Sequence, residues 1–266
     1  TDMGVTLNLG ITVGRDITLT NLRSDFDAVY VAIGAANSKK PDFVLSGSIL
    51  SEIGFLRSCR ENNEIPSAGK VIVIGGGNTA IDVARTARRC GAEVIILYRR
   101  SRNEMPAFVE EISDALDEGV AIEFLTAPLD ITSAENGKYK IKCTKMRLYE
   151  KDDSGRSRPV PVEGADFEMN ADLVVYALGQ EVKSAGFEEL SETGLLKTDD
   201  AGMTKHAGVF AGGDAVTGPA TVTAAIGAGR NAAFAINAYL SGKKYSAPCK
   251  KEISFRNVPL YGYNNT

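Results

Sequence analysis

Gly75-Gly76-Gly77-Asn78-Thr79-Ala80 has the form Gly-x-Gly-x-x-Ala and stands between an apolar run, Val71 to Ile74, and an Ala-rich stretch beginning at Thr79. Residues of these types at this spacing can cradle a pyrophosphate. Gly75 permits a tight turn, Gly77 lets the backbone approach phosphates with no Cβ in the way, and Ala80 allows helix and strand to pack closely. The helix opened by Asn78 and Thr79 then presents unpaired N–H groups and partial positive charge to the anion. The six-residue pattern is short and recurs by chance; its setting between strand and helix ties it to a dinucleotide.

The end of the next strand selects which dinucleotide. A site for NAD places Asp or Glu about 20 residues on, against the ribose 2′-hydroxyl. Here Tyr98-Arg99-Arg100-Ser101-Arg102 occupies that place, with Arg99 lying 22 residues after Gly77. An acid would repel a 2′-phosphate, whereas a guanidinium fork binds it bidentately. The expectation is NADP(H) over NAD(H), with Arg99 and Arg100 as clamps; a solvated basic loop is the competing reading. A second candidate is Gly213-Asp214, at a strand end before a helix opening with Gly218-Pro219-Ala220-Thr221-Val222. A carboxylate there can accept a bond from a polyol hydroxyl, and it serves equally as a turn or helix cap.

Elements must position these residues. Val71 to Ile74, the glycine turn, a helix from Thr79 to Cys90 stopped by Gly91, and a strand from Glu93 to Tyr98 form one βαβ unit of about 30 residues. Before it, Ile11 to Leu19 and Ala28 to Ile33 read as strands, and Ile49, Ile53, Phe55 and Leu56 fall at helical spacing within the polar stretch Lys39 to Pro66. After it, Phe108, Val109, Ile112, Ala115 and Leu116 mark an amphipathic helix closed by Gly119. From Ala121 to Met169 the pattern changes to antiparallel hairpins: Tyr139, Ile141 and Cys143 alternate with lysines, and Asp152-Asp153-Ser154-Gly155 makes a turn. Asp172 to Gly179 then repeats the plan of Asp27 to Gly34, an Asp, an apolar strand and a closing Gly. The repeat suggests paired crossing points, with Gly34 and Gly179 where nucleotides or domain crossings want bare backbone. Gly208 to Asp214 is a short strand ending in Gly-Gly-Asp, and a long helix runs from about Thr221 to Leu240.

Composition removes whole classes of function. Of 266 residues, 30 are Lys or Arg and 34 Asp or Glu, so no excess of positive charge marks a nucleic-acid binder. No apolar run is long enough to cross a bilayer, and the N-terminus has neither a basic nor an apolar signal region. Cys59, Cys90, Cys143 and Cys249 are too far apart for a Cys-x-x-Cys, so neither a redox dithiol nor a local metal cage is encoded. They read as thiols in a reducing compartment, the cytoplasm. His206, the only histidine, is expected to be solvated or packed rather than catalytic. The 27 glycines are an excess over the typical share of about 7%, and part of it sits at the turns named above.

Val71 to Ala80, Tyr98-Arg99-Arg100-Ser101 followed by Glu104-Met105-Pro106-Ala107, and Gly208 to Asp214 with Thr221 to Gly229 resemble the NADPH-dependent, FAD-containing oxidoreductases that include the glutamate synthase small (beta) subunit. The resemblance runs over nearly the whole chain. It implies an α/β, Rossmann-like flavoprotein with two dinucleotide-binding domains, the NADPH domain (37–179, with an antiparallel excursion at about 121–170) inserted into an FAD domain (1–36 and 180–266). It implies that Gly75, Gly77, Asn78, Thr79 and Ala80 hold the NADPH pyrophosphate and Arg99 and Arg100 its 2′-phosphate, with Gly179 also at the cofactor. Gly213 and Asp214 would meet the FAD ribityl and phosphate region, and the backbone near Val222 and Thr223 would face the flavin ring. Hydride would pass between NADPH and FAD and electrons onward to an acceptor, a glutamate synthase large subunit or another redox protein; neither nucleic acid nor membrane is an expected partner. The cofactors would supply the reactivity, so no catalytic side chain is expected. The FAD-binding Gly-x-Gly-x-x-Gly and the iron–sulfur segment of such enzymes precede the region matched here. The expectation is therefore a C-terminal portion with an intact NADPH domain and an incomplete FAD site, active in full-length form. A fragment that binds NADPH but cannot hold FAD alone is the alternative.

Overall fold

In the structure, a computed structural model that describes residues 3–45, 49–62, 69–134, 137–151 and 155–247, the chain divides into two units: Thr1–Ala35 with Val182–Thr266, and Ala36–Glu181. The expected strand over Ile11 to Leu19 does not form. Gly14 adopts φ +92°, the Asp16 carboxylate accepts the Thr12 N–H at 2.8 Å, and the segment folds into a turn bridged only at Val13 and Ile17. Local side-chain hydrogen bonding by Asp competes with a strand ladder here and wins. Thr18 and Asn21 then cap one another reciprocally and start a helix that periodicity missed, α1 (Leu19–Asp25). β1 (Val29–Val31) follows.

The second unit begins with β2 (Asn37–Ser38), β3 (Val44–Leu45), β4 (Leu50–Ser51) and α2 (Glu52–Asn62). β5 (Lys70–Ile74), α3 (Asn78–Arg89), β6 (Glu93–Tyr98), α4 (Val109–Asp117) and β7 (Ala121–Phe124) come next. β8 (Thr126–Ser133), β9 (Tyr139–Lys151) and β10 (Ser157–Ala171) form antiparallel hairpins, and β11 (Leu173–Tyr176) and β12 (Gln180–Glu181) complete it. Of the turn expected at Asp152 to Gly155, Asp152 to Ser154 lie outside the described residues.

Five strands make one parallel sheet in the order β4-β11-β5-β6-β7. β5 is central, and its β-branched run alternates between two cores, as the two-residue period of a strand requires. Val71 and Val73 face the side packed by Phe55, Ala80, Ala84, Ala87 and Ile112 of α2, α3 and α4. Ile72 and Ile74 face Ile131, Ile141 and Cys143 of the antiparallel sheet, which takes the place of a second helical layer. The alternation in β9 is why: Tyr139, Ile141 and Cys143 are buried while Lys140 and Lys142 are exposed. Small residues at Ala80, Ala84 and Ala87 let α3 lie close to the sheet, and Arg85 and Arg89 tie it to α4 through Glu118, with Arg85 also pairing with Glu111. A parallel sheet with a βαβ unit and its glycine turn at the carboxyl end of the central strand is a Rossmann-like arrangement.

On returning to the first unit the chain forms β13 (Ser191–Glu192), β14 (Leu195–Leu196), β15 (Val209–Ala211), α5 (Asp214–Thr217) and α6 (Val222–Leu240). β15 pairs in parallel with β1, and Leu19, Val31, Phe187, Leu190, Leu196 and Ala215 pack around the pair. α6 buries only Ala232 and Ala235, leaving Val222, Ile226 and Phe234 exposed.

Candidate functional site

The three glycines after β5 stand in three different surroundings. Gly75 lies at φ +142°, and a Cβ on it would stand 2.1 Å from the Ala177 carbonyl oxygen. At Gly76 a Cβ would stand 2.4 Å from the Tyr98 ring. Gly77 has an ordinary φ of −85°, and a Cβ there would meet nothing of the protein within 4 Å. The first two glycines are demanded by the chain itself; the third leaves bare backbone facing open space.

Gly77 is also the N-cap of α3 and carries no side-chain cap. Its carbonyl accepts the Ala80 and Ile81 N–H groups, so the helix begins with Asn78 and Thr79, whose N–H groups have no carbonyl one turn back within the helix. Thr79 lines the cleft beside the turn, whereas Ala80 is wholly buried and acts through packing. The Asn78 side-chain oxygen accepts the Phe108 N–H at 2.9 Å, and the Gly76 carbonyl accepts the Ala107 N–H at 3.2 Å. These two bonds fix the loop before α4 against the glycine turn.

The cleft has a volume of about 630 Å³ and lies wholly within the unit Ala36–Glu181. Gly75, Gly76, Gly77 and Thr79 form one side of it, and Arg99 and Arg100 stand at the end of β6. Arg99 is exposed; Arg100 is buried, with Nε donating to the Ser157 carbonyl at 2.8 Å. The Tyr98 hydroxyl donates to the Glu104 carbonyl at 2.6 Å, and burial pushes its pKa up. The Glu104 carboxylate accepts the Ser101 hydroxyl at 2.6 Å, and this bond, then one from Ser157, holds it below the usual carboxylate range. Gly179 lines the cleft at φ +100°, and its carbonyl accepts the Lys39 N–H at 2.9 Å.

Sequence reasoning missed Lys39, Lys40 and Arg156, and also Pro128, Met146 and Pro159, which furnish an apolar wall from the antiparallel sheet. No local motif marks them: Lys39 and Lys40 follow β2, which pairs with the distant β12, and Pro128, Met146 and Pro159 arrive with the antiparallel sheet, which joins β3 to β8. The cleft therefore gathers five cationic side chains against one carboxylate, Asp42. That charge balance and the bare Gly77 backbone suit a phosphate-bearing ligand that also has an apolar face.

The remaining candidates belong to the other unit. Gly213, at φ +65°, begins α5 and packs beside Ala225 of α6. The Asp214 carboxylate accepts the Ala220 N–H at 3.2 Å, so it does cap its own loop. Thr221 caps α6 through its hydroxyl, and Val222 and Thr223 are exposed on the first turn. The structure thus brings Gly213 and Asp214 alongside the start of α6, while the Gly75–Ala80 and Arg99–Arg100 groups share the cleft of the other unit. Cys59, Cys90 and Cys143 are free thiols, and Cys249 lies outside the described residues. His206 is half-buried 3.3 Å from Glu189. Among the described residues no cluster of His, Cys, Asp or Glu suits a metal, and no helix is long and apolar enough to cross a membrane.

Comparison with known proteins identifies the family and the fold. The chain is 43% identical over 249 residues to the NADP(+)-dependent formate dehydrogenase subunit beta of Moorella thermoacetica, a match covering 90% of this chain and 35% of that one. It is 37% identical over 265 residues to the glutamate synthase [NADPH] small chain of Azospirillum brasilense, covering 91% of this chain and 55% of that one. The chain thus spans between about a third and about half the length of these curated relatives. Among solved structures, Mycobacterium tuberculosis FprA in complex with NADPH superposes with a TM-score of 0.71 at 20% identity, over 90% of this chain and 70% of that one, which establishes the fold. Residues 6–229 match the pyridine nucleotide-disulphide oxidoreductase family, and the chain belongs to that family.

Proposed function

We propose that the chain is the NADPH-binding part of an NADPH-linked flavoprotein oxidoreductase, and that the cleft of the unit Ala36–Glu181 is its NADPH site. The observation that carries this reading is the contrast at the glycine turn. Gly75 and Gly76 are required by the fold, but Gly77 is bare only toward a basic cleft, the arrangement a pyrophosphate needs. Gly77 and the N–H groups of Asn78 and Thr79 would hold the pyrophosphate, Ala80 would set the helix-to-sheet spacing, and Arg99 and Arg100 would hold the 2′-phosphate. Gly179 would leave room at the carboxyl end of the sheet. The apolar wall of Pro128, Met146 and Pro159 would keep water from one side of the bound ligand. When bound, NADPH supplies a hydride and FAD accepts it; the residues of this chain bind and orient.

In this reading the unit Thr1–Ala35 with Val182–Thr266 belongs to the FAD domain, with Gly213, Asp214, Val222 and Thr223 toward the flavin and Ala36–Glu181 inserted as the NADPH domain. Electrons would leave to a partner subunit, as the subunit names of the relatives suggest; a glutamate synthase large subunit is one such partner, and a cytoplasmic setting suits the free thiols. A second reading, a chain that binds NADPH but does not retain flavin by itself, is favoured by the two-stranded β1–β15 sheet and the exposed Val222, Ile226 and Phe234. Calorimetric titration with NADPH and NADH, together with the visible absorption of the purified chain, tests both. NADPH is expected to bind roughly 10- to 100-fold more tightly than NADH, the effect of a charge-assisted grip. Equal affinity would overturn the NADPH assignment. Flavin bands would decide for the first reading, and a colourless, NADPH-binding chain for the second.

A further inference from the structure

The long hairpin β9–β10 reaches the cleft from the opposite layer of the fold and brings a cation that no motif marks. Arg156 immediately precedes β10 and lines the same cleft as Arg99 and Arg100. Its position is fixed by the next residue. The Ser157 carbonyl accepts Arg100 Nε at 2.8 Å, and Ser157 also hydrogen-bonds the Glu104 carboxylate, which Ser101 holds from the other side. The turn end of the hairpin is therefore stapled to the loop after β6, and Arg156 is exposed at the point where that staple meets the cleft. The electrostatics agree: the Tyr98 phenol, at the end of β6, feels the positive charges of both Arg100 and Arg156. Guanidinium groups gathered on one wall repel one another, and a doubly charged anion placed among them offsets that repulsion.

We infer that Arg156 is a third arginine of the 2′-phosphate grip, contributed by the antiparallel sheet rather than by the β6 loop. The inference rests on the NADPH reading of the cleft and deepens it. Arg100 has a double part: it lines the cleft, and its bond to Ser157 sets where Arg156 stands. Reading of the 2′-phosphate is thus shared between the two layers of the unit, so nucleotide preference depends on the docking of the hairpin as well as on the loop after β6.

The test uses the whole chain and two small probes, 2′,5′-ADP and 5′-ADP, titrated calorimetrically. Arg156→Ala is expected to weaken 2′,5′-ADP binding roughly 10- to 100-fold, the loss of one charge-assisted contact, while leaving 5′-ADP affinity as in the parent. Arg156→Lys is expected to recover part of the loss, because a point charge replaces the fork. Arg156 is solvent-exposed, so its variants are expected to fold, and circular dichroism checks this. A parent that prefers 2′,5′-ADP, an Arg99→Ala variant that loses the preference and an Arg156→Ala variant that keeps it would overturn the inference while sparing the NADPH site. A parent with no preference would overturn both.

Discussion

Gly75 and Gly77 are two residues apart, and the structure assigns them opposite consequences on substitution by alanine. At Gly75 the new Cβ would lie 2.1 Å from the Ala177 carbonyl oxygen, an atom held in place at the end of β11, on a backbone at φ +142°. Strain in such a region costs about 1–3 kcal/mol, and overpacking a rigid neighbour costs about 1–3 kcal/mol more. Against a typical margin of about 5–15 kcal/mol, Gly75→Ala is expected to lower the melting temperature by ~10 °C or to abolish folding. At Gly77 the Cβ meets nothing within 4 Å and φ is −85°, so the fold loses only about 1 kcal/mol, the margin by which Gly exceeds Ala as an N-cap. The same methyl group would occupy the place of the pyrophosphate. Losing one charge-assisted backbone contact costs about 1.5–3 kcal/mol, or about 10- to 100-fold in NADPH affinity. Thermal unfolding followed by circular dichroism measures the first quantity and calorimetric titration the second. A well-folded Gly77→Ala protein that binds NADPH as the parent does would refute the placement of the pyrophosphate at Gly77. A Gly75→Ala protein of unchanged stability would refute the argument for close approach to Ala177.

Two further predictions concern buried and paired carboxylates. Glu118 is held down to about 2, from an ordinary 4.5, by hydrogen bonds from Arg89 and Arg85. A depressed carboxyl contributes stability above its unfolded value and loses it as pH falls, so Glu118→Gln is expected to flatten the pH dependence of unfolding between 4.5 and about 2; an unchanged pH profile would count against the pairing. Glu52 is the opposite case: its side chain is wholly buried at the start of α2, and burial pushes its pKa up against the smaller opposing effect of its own backbone N–H and the Ser38 hydroxyl. Its charge is a penalty that sets in as pH rises above 4.5, so Glu52→Met is expected to stabilise the chain by about 1–3 kcal/mol at neutral pH and by less at pH ~4. A destabilised variant in denaturant titration at neutral pH would refute this account.

Local chemistry explains how far the chain could be read unaided. The turn from Gly75 to Ala80, the helix stop at Gly91 and the alternation of lysines with Tyr139, Ile141 and Cys143 are all properties of neighbours within a few residues. Each is dictated by sterics or by burial period, so the βαβ unit and the antiparallel hairpins were legible. The segment from Ile11 to Leu19 was misread because its hydrophobicity suits a strand, while the Asp16 carboxylate and the Thr18–Asn21 cap satisfy its backbone locally.

Residue types and spacing alone pointed to a dinucleotide turn and an arginine pair after the next strand, since both depend on one stretch of backbone. Tertiary packing decided everything that depends on distant segments meeting. It required Gly76 to be bare because the Tyr98 ring lies over it, and it buried Arg100 against Ser157 while leaving Arg99 exposed. It also brought Lys39, Lys40 and Arg156 into one cleft from positions far apart in the chain. Strand order and register set those meetings, and they depend on the summed burial of many side chains rather than on any motif.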